Sequence, residues 1–266
     1  MAQIVGTNTY SRMVEAKLRQ ESIFARLFNN RNEQTAGGVQ IPVREEAAVS
    51  EYNIANGASL AAPATTYIPI VLDKDYAVNE LIDGFVSAAV SDNMIAERLD
   101  SAGFALADQV DVALATLLAT SGTALSSTTA LTKTTVYGAI IDAVQTAKAL
   151  KVKPREMWIA VDNATYGLLL QCSEFIQATG NVAELGNGYV GKLAGIPVYE
   201  TANLPAKTEF VVGNNVFCHY VDAWKVVPEV KDLADGKHIG SSAVQGRIVY
   251  GHTISKPTTV IVKKKA

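Results

Sequence analysis

Residues 186 to 200 read GNGYVGKLAGIPVYE, and the first eight of them admit two incompatible readings. Gly186, Gly188 and Gly191 fit the dinucleotide fingerprint G-x-G-x-x-G, and with Lys192 they nearly fit the phosphate loop G-x-x-x-x-G-K-[ST]. A phosphate cradle needs a buried strand leading in, glycines that turn backbone N–H groups toward the anion, and a helix N-terminus leading out. Here the residues leading in, ATGNVAEL, are polar and interrupted by Gly180. Leu193 stands where a hydroxyl should hold magnesium, and Gly195 and Pro197 come at once after it, which stops any helix there. The hydrophobic run MWIAVD, which ends in an acid, precedes the glycines instead of coming after them. The stretch therefore predicts a hairpin or loop with glycines at positive φ, feeding a strand that starts at Ile196.

Moving outward, MWIAV (157 to 161) reads as a buried strand, with Asp162 as the cap of a helix through NATYGLLLQC. A helix, VYGAIIDAVQTAKAL, and the turn KVKPRE come before it. Strand candidates come next at GIPVYET, EFVVG and VFCHYV, then WKVVPEV, a loop at DLADGKHIGSS, and two closing strands, GRIVYGHTI and TTVIVKK. The most pronounced helix lies at residues 91 to 120, where Ile95, Leu99, Ala102, Leu106, Val110, Ala113 and Leu117 recur at steps of three and four. Ser91 or Asp92 can cap it and Ser121-Gly122 ends it. Its other face carries Glu97, Asp100, Asp108 and Asp111, and without a neighbouring His or Cys these predict a solvated or subunit-facing surface. The Ser/Thr-rich link at 121 to 135 is a candidate boundary.

Nearer the start, Val39, Ile41 and Val43 alternate with polar positions, and residues 65 to 78 form a second strand candidate. Asn56-Gly57 marks a turn between them, and Pro42 and Pro69 make both strands edge-like. An isolated two-stranded hairpin is marginal in water, so Tyr52, Ile54 and Leu60 near its tip need another surface. The pattern leaves open whether that surface is the hairpin's own domain or something else. Residues 1 to 36 read as an arm, with Val14, Leu18, Ala25 and Phe28 on one face of a helix.

Composition narrows the function. Apolar residues make up 48% of the 266 and charged residues 18%, which is globular and not disordered. A net charge of −3 excludes a surface that grips nucleic acid throughout, leaving local basic spots near the start and at Lys263, Lys264 and Lys265, a tail read as solvated. Cys172 and Cys218 are too few for a disulfide framework. Cys172 follows the apolar face of a helix, as a small buried hydrophobe does, although pairing with a histidine stays open. Cys218 and His219 are neighbours in a strand and point to opposite faces, so they do not share a metal. GSSAVQ lacks the second glycine of a nucleophile elbow. No catalytic, cofactor-binding or metal site is expected, no signal peptide is read in MAQIVGTNTYSRM, and no run of 18 apolar residues suggests a membrane span.

The order of parts, arm, Pro-containing hairpin, very long helix, α/β region and returning strands, resembles the major capsid protein of tailed bacteriophages, the Hong Kong 97-type fold. MWIAVDNATYGLLLQ is similar to the strand-and-helix unit of that family's axial domain, and YVGKLAGIPVYETANLP to its glycine turn, strand and N-L-P loop. VQIPVREEAAVSEYNIANG is similar to the outgoing strand of its extended loop, and RIVYGHTISKPTTVIVKK to the closing strands of its peripheral domain. The resemblance implies an α+β capsid fold. Residues 1–36 would be the N-terminal arm and 37–80 an extended β-hairpin loop lying across a neighbouring subunit. Residues 81–132 and 223–266 would be a peripheral domain with its spine helix at 92–120, and 133–222 the α/β axial domain.

The implied function is a non-enzymatic subunit that self-assembles, as pentamers and hexamers, into the icosahedral shell around a double-stranded DNA genome. Tyr52, Ile54, Leu60, Tyr67, Val14, Leu18 and Phe28 would then be subunit contacts. The implied partners are copies of the chain, a portal protein at one vertex, a decoration protein, and DNA through non-specific contact only. With no long coiled coil near the start, a separate scaffolding protein, or a scaffolding segment already removed, is also expected. The implied location is the virion, after assembly in the host bacterial cytoplasm. Two rivals remain at this point: an encapsulin-like bacterial compartment, which shares the fold, and an α/β nucleotide-binding enzyme using residues 186–193.

Overall fold

The structure is a computed structural model, which describes residues 22–30, 39–55, 57–60, 62–84, 93–127, 129–172, 174–175, 189–233 and 236–265. Its described strands form a four-stranded sheet, a six-stranded sheet and a two-stranded ribbon.

The four-stranded sheet is built on two long antiparallel strands, β10 (Cys218–Asp232) and β11 (Ser242–Ile254). Strand β4 (Lys74–Ile82) pairs with the far side of β11, and the short β1 (Asn29–Asn30) runs parallel to β10. Pro228 falls where the β10–β11 register shifts, between Val226 and Glu229, which is how a residue without an N–H is tolerated inside a long ladder.

The six-stranded sheet has the order β5-β12-β9-β6-β8-β7. It comprises β5 (Thr123–Ala124), β12 (Ile261–Lys264), β9 (Thr208–Asn214), β6 (Met157–Val161), β8 (Ile196–Glu200) and β7 (Tyr189–Leu193). All five residues of β6 are buried, and strand geometry explains why. Met157, Ile159 and Val161 share one face and meet α3 (Val136–Ala149) and Leu169 of α4 (Asn163–Leu169), whereas Trp158 and Ala160 face the other core. A strand covered on both faces has no polar alternation to show. Asp162 caps α4 as expected, its carboxylate accepting from the Thr165 N–H at 2.7 Å.

The long helix, α2 (Asn93–Ser121), lies against both sheets. One row of its buried positions, Ala102, Leu106, Val110, Leu114 and Leu118, advances by four residues each time, and in the second half Asp111, Ala115 and Ala119 are buried beside it. Four residues overshoot a turn of 3.6, so the buried stripe winds around the helix. The winding carries the stripe off the expected Ala113 and Leu117, which are only partly buried, and onto Leu114 and Leu118. The reason is that one helix serves two sheets: its early part meets Ile82 and Val244, and its later part packs in the cluster that holds Trp158 and Val211. The expected caps Ser91 and Asp92 lie outside the described residues.

Several expected boundaries move. The strand expected at 65–78 is broken at 71–73: β3 (Thr65–Ile70) pairs with β2 (Val39–Arg44), while β4 joins the four-stranded sheet. The C-terminal strand, assigned to the peripheral part, instead pairs with β9 and β5 inside the six-stranded sheet. Conversely, Cys218–Val221, assigned to the axial part, opens β10 in the four-stranded sheet. Residues 22–30, which hold the short helix α1 (Phe24–Leu27), are not a free arm. Ile23, Phe24, Leu27 and Phe28 are buried in the main core, with the Phe24 ring edge-on to Trp158 at 5.9 Å. Lys263 is not solvated either: it is fully buried, its Nζ donating to the Ser127 carbonyl at 2.6 Å.

The prolines of the ribbon take one ladder phase. Pro42 faces Tyr67 and Pro69 faces Gln40, two positions apart in the register. The next pair of the odd phase, Glu45 and Ala64, is hydrogen-bonded through the Glu45 N–H at 3.1 Å. Both prolines therefore lie in the phase whose backbone groups point away from the partner strand, where a missing donor costs the ladder nothing.

Candidate assembly surfaces

Residues 189–200 of the opening stretch form a hairpin. β7 and β8 pair antiparallel with Lys192 opposite Pro197 and Leu193 opposite Ile196. The two residues between them, Ala194 and Gly195, have φ of 53° and 81°. Positive φ at both central positions is the two-residue turn that matches strand twist. A hairpin is present, but it turns at Ala194–Gly195, later than the glycines read as the bend, and Gly191 lies inside β7. The turn leads into a strand, not a helix N-terminus, so the described residues form no phosphate cradle there. Residues 186–188 lie outside the described residues.

The other chemical candidates are buried. Cys218 is fully buried, and burial pushes its thiol up to about 12, far from thiolate character at neutral pH. His219 beside it is buried as well, with Nε2 3.0 Å from Ser255 Oγ. Cys172 is buried, and its thiol donates to Glu174 Oε2 at 2.9 Å. Among the described residues no three His, Cys, Asp or Glu side chains converge as a metal-binding group.

Asp111 corrects the reading of the long helix's acidic face. It is fully buried and is a hydrogen-bond acceptor for several groups of the chain. One oxygen takes the Phe24 N–H at 2.7 Å and the Ser22 hydroxyl at 3.0 Å, and the other takes Asn203 Nδ2 at 3.1 Å. The same amide also donates to Asp108 at 2.8 Å. Burial raises the Asp111 pKa, while these bonds pull it down. One carboxylate thus fastens the N-terminal segment and the loop after β8 to the same turn of α2. Ile95–Ser121 is long and apolar enough to cross a membrane by length and composition, but its buried stripe and Asp111 are both used inside the fold.

The hairpin at 37–80 divides into an anchored base and an uncovered tip. At the base, Val39, Ile41 and Ile70 pack on Val221 and Ala223 of β10. Beyond Arg44 the ladder gives way to a small turn of its own: Asn53 and Gly57 exchange backbone bonds, and Asn53 Oδ1 accepts the Ala55 N–H at 2.8 Å. Gly57, at φ 71°, supplies the turn read at 56–57, while Asn56 lies outside the described residues. Ile54 is 94% exposed and Leu60 99%, and Tyr52 and Tyr67 are also exposed. Val49 and Val71, not singled out from sequence, add to this uncovered apolar surface. Of the other expected contacts, Phe28 belongs to this chain's own core and is not offered to a neighbour, and Val14 and Leu18 lie outside the described residues.

The subunit thus has two sheets bridged by one helix, and an arm whose base is anchored and whose apolar tip is uncovered. The sequence profile of the phage capsid protein family matches residues 87–262, and the chain belongs to that family. Solved structures agree in fold. The Mycobacterium phage Che8 structure superposes with a TM-score of 0.78 at 22% identity, covering 99% of this chain and 98% of that one. The capsid structure of the cyanophage P-SCSP1u gives 0.77 at 19% identity, covering 98% and 93%. The mature capsid of bacteriophage PhiM1 gives 0.71 at 15% identity, covering 98% and 92%. No curated protein matches the chain. The chain is a structural protein of a tailed-phage capsid shell with the Hong Kong 97-type fold, associating with its own copies in the virion. The compartment-shell and nucleotide-enzyme rivals are not favoured.

Proposed function

We propose that the hairpin at 37–80 is the element that closes the shell, its tip covering part of a neighbouring copy within pentamers and hexamers. The observation that carries this is Ile54 and Leu60, both more than 90% exposed on an arm whose base is anchored. Exposed apolar area of this kind marks an interaction surface. Tyr52 and Tyr67 extend the contact, and Val14 and Leu18 give the N-terminal segment a similar role. Each arm contact can be modest, because a closed symmetric assembly engages many together. In this reading the subunit assembles in the host bacterial cytoplasm on a separate scaffolding protein, meets a portal protein at one vertex, and accepts a decoration protein outside. The net charge of −3 suits a wall that touches packaged DNA only non-specifically.

Deleting residues 52–63 tests the reading. The expected product is a soluble, folded subunit that forms no closed particles by electron microscopy. Normal shells from the deletion variant would overturn it.

A further inference from the structure

One end of the six-stranded sheet collects cations. Lys148, in the last turn of α3, and Lys151, Lys153 and Arg155, in the link from α3 to β6, fall within eight residues, and all four are exposed. The ladder brings two more to the same end. Strands β6, β8 and β12 all begin there: β8 is parallel to β6, and β12 and β6 are both antiparallel to β9. The β7–β8 turn therefore carries exposed Lys192 to this end, and the loop before β12 carries exposed Lys256. The one acid in the α3–β6 link is Glu156, which sits 3.9 Å from Arg155. Among the described residues, no carboxylate is within ion-pair distance of Lys148 or Lys153.

The arm has the opposite composition. Residues 45–72 contain Glu45, Glu46 and Glu51 and no Lys or Arg. The two features meet in the structure, with Lys151 Nζ 3.5 Å from Glu46 Oε2 across 105 residues of sequence. Lys151 has φ 63°, in the turn that ends α3. A single exposed pair like this contributes little alone, but several cations facing several acids add their fields at low salt.

We infer that the basic end of the six-stranded sheet is a docking surface for the acidic stem of the arm, residues 45–51, within the same chain. It holds the arm in one orientation by charge in the unassembled subunit. The inference goes beyond the shell-closing role of the tip and does not depend on it. It makes the arm's resting position sensitive to ionic strength, which an apolar anchor alone would not do.

The test uses the full-length unassembled subunit with spin labels at Ser59→Cys and Thr146→Cys, both exposed in the native protein. Cys172 and Cys218 are buried. At low salt the interlabel distance distribution should be narrow. It should broaden in about 0.5 M salt, where the screening length is about 4 Å. It should also broaden in Lys151→Glu, with the ratio of docked to undocked arms falling about two- to five-fold. The charge swap Lys151→Glu with Glu46→Lys should restore the narrow distribution. An unchanged distribution at high salt and in Lys151→Glu, or a swap that fails to restore it, overturns the inference.

Duplex DNA is the competing occupant of a basic patch, and titration with a short duplex separates the two. Suppose the wild type binds DNA with a steep salt dependence, and neutralising Lys148, Lys151, Lys153 and Arg155 to Gln abolishes the binding while leaving the label distances unchanged. The patch is then a nucleic-acid surface and the arm assignment fails. Ile54→Ser with Leu60→Ser should leave the label distances unchanged, so failure of the tip reading and failure of this one are told apart.

Discussion

Replacing Ile54 and Leu60 together by serine is the sharpest perturbation of the arm. Both side chains are almost wholly exposed in the isolated chain, at 94% and 99%. Fully burying an Ile or Leu side chain contributes about 1.5–3 kcal/mol. If each is buried on a neighbour, the double substitution removes about 3–6 kcal/mol from every arm contact. That weakens pairwise association by about 10²- to 10⁴-fold. The fold itself should not notice, because exposed substitutions away from special features change stability by about 0.5 kcal/mol or less. The assay pairs two measurements: the thermal midpoint of the unassembled subunit, and the critical concentration for shell formation by light scattering with electron microscopy. The expected result is an unchanged midpoint with a critical concentration raised by at least the lower of those factors. A double variant that assembles at the wild-type concentration would refute the argument, because these side chains would then be as exposed in the shell as they are here.

Three further outcomes concern the interior. Ala194 carries a side chain at φ 53°, a region that costs most L-residues about 1–2 kcal/mol and that asparagine tolerates best, so Ala194→Asn should stabilise the subunit by about 1 kcal/mol in a denaturant titration. A Cβ on Gly251 would stand 2.4 Å from the Val71 carbonyl oxygen and 2.9 Å from Ile70 Cγ2. Gly251→Ala should therefore cost about 1–3 kcal/mol and speed hydrogen exchange at the base of the hairpin. Asp111→Ala strands the Phe24 N–H and leaves the Asn203 amide with Asp108 alone, and should cost about 2–4 kcal/mol by the same titration. Because burial raises the Asp111 pKa above 3.8, its titration favours the fold fully below about that pH and the contribution is lost as pH rises through the raised value. The stability advantage of wild type over Asp111→Asn should accordingly widen on acidification.

Local signals in the sequence were reliable where a single element decides the outcome. The unbroken MWIAV run, the Asp162 cap and the stop at Ser121-Gly122 depend on neighbours within a few residues, and all are present; a hairpin is present too, turning a few residues past the glycines that suggested it. The features that were not legible depend on residues that arrive from far away. Asp111 has the composition of a solvated helix face until Asn203, 92 residues later, and the Phe24 N–H, 87 residues earlier, come to it. Phe28 sits in an apolar cluster that would look the same whether it fills its own core or a neighbour's. The return of Ile261–Lys264 to the six-stranded sheet is a pairing choice that alternation along one strand cannot encode. The exposed tip was legible because its defect is local: apolar residues beside a turn, with too few strands around them to cover them.

The paired prolines of the arm have a consequence for a subunit waiting in solution. A two-stranded ribbon has two open long edges, and each is a template onto which another chain could add as a further strand. In this ribbon each open edge has lost an outward-pointing donor, to Pro42 on one side and Pro69 on the other. A strand laid along either edge would meet a gap in its hydrogen-bond row, so uncontrolled growth by strand addition is disfavoured. The arm can stay long, apolar and uncovered without polymerising edge to edge, and recognition is left to its side chains, which only a correctly shaped neighbouring surface can satisfy.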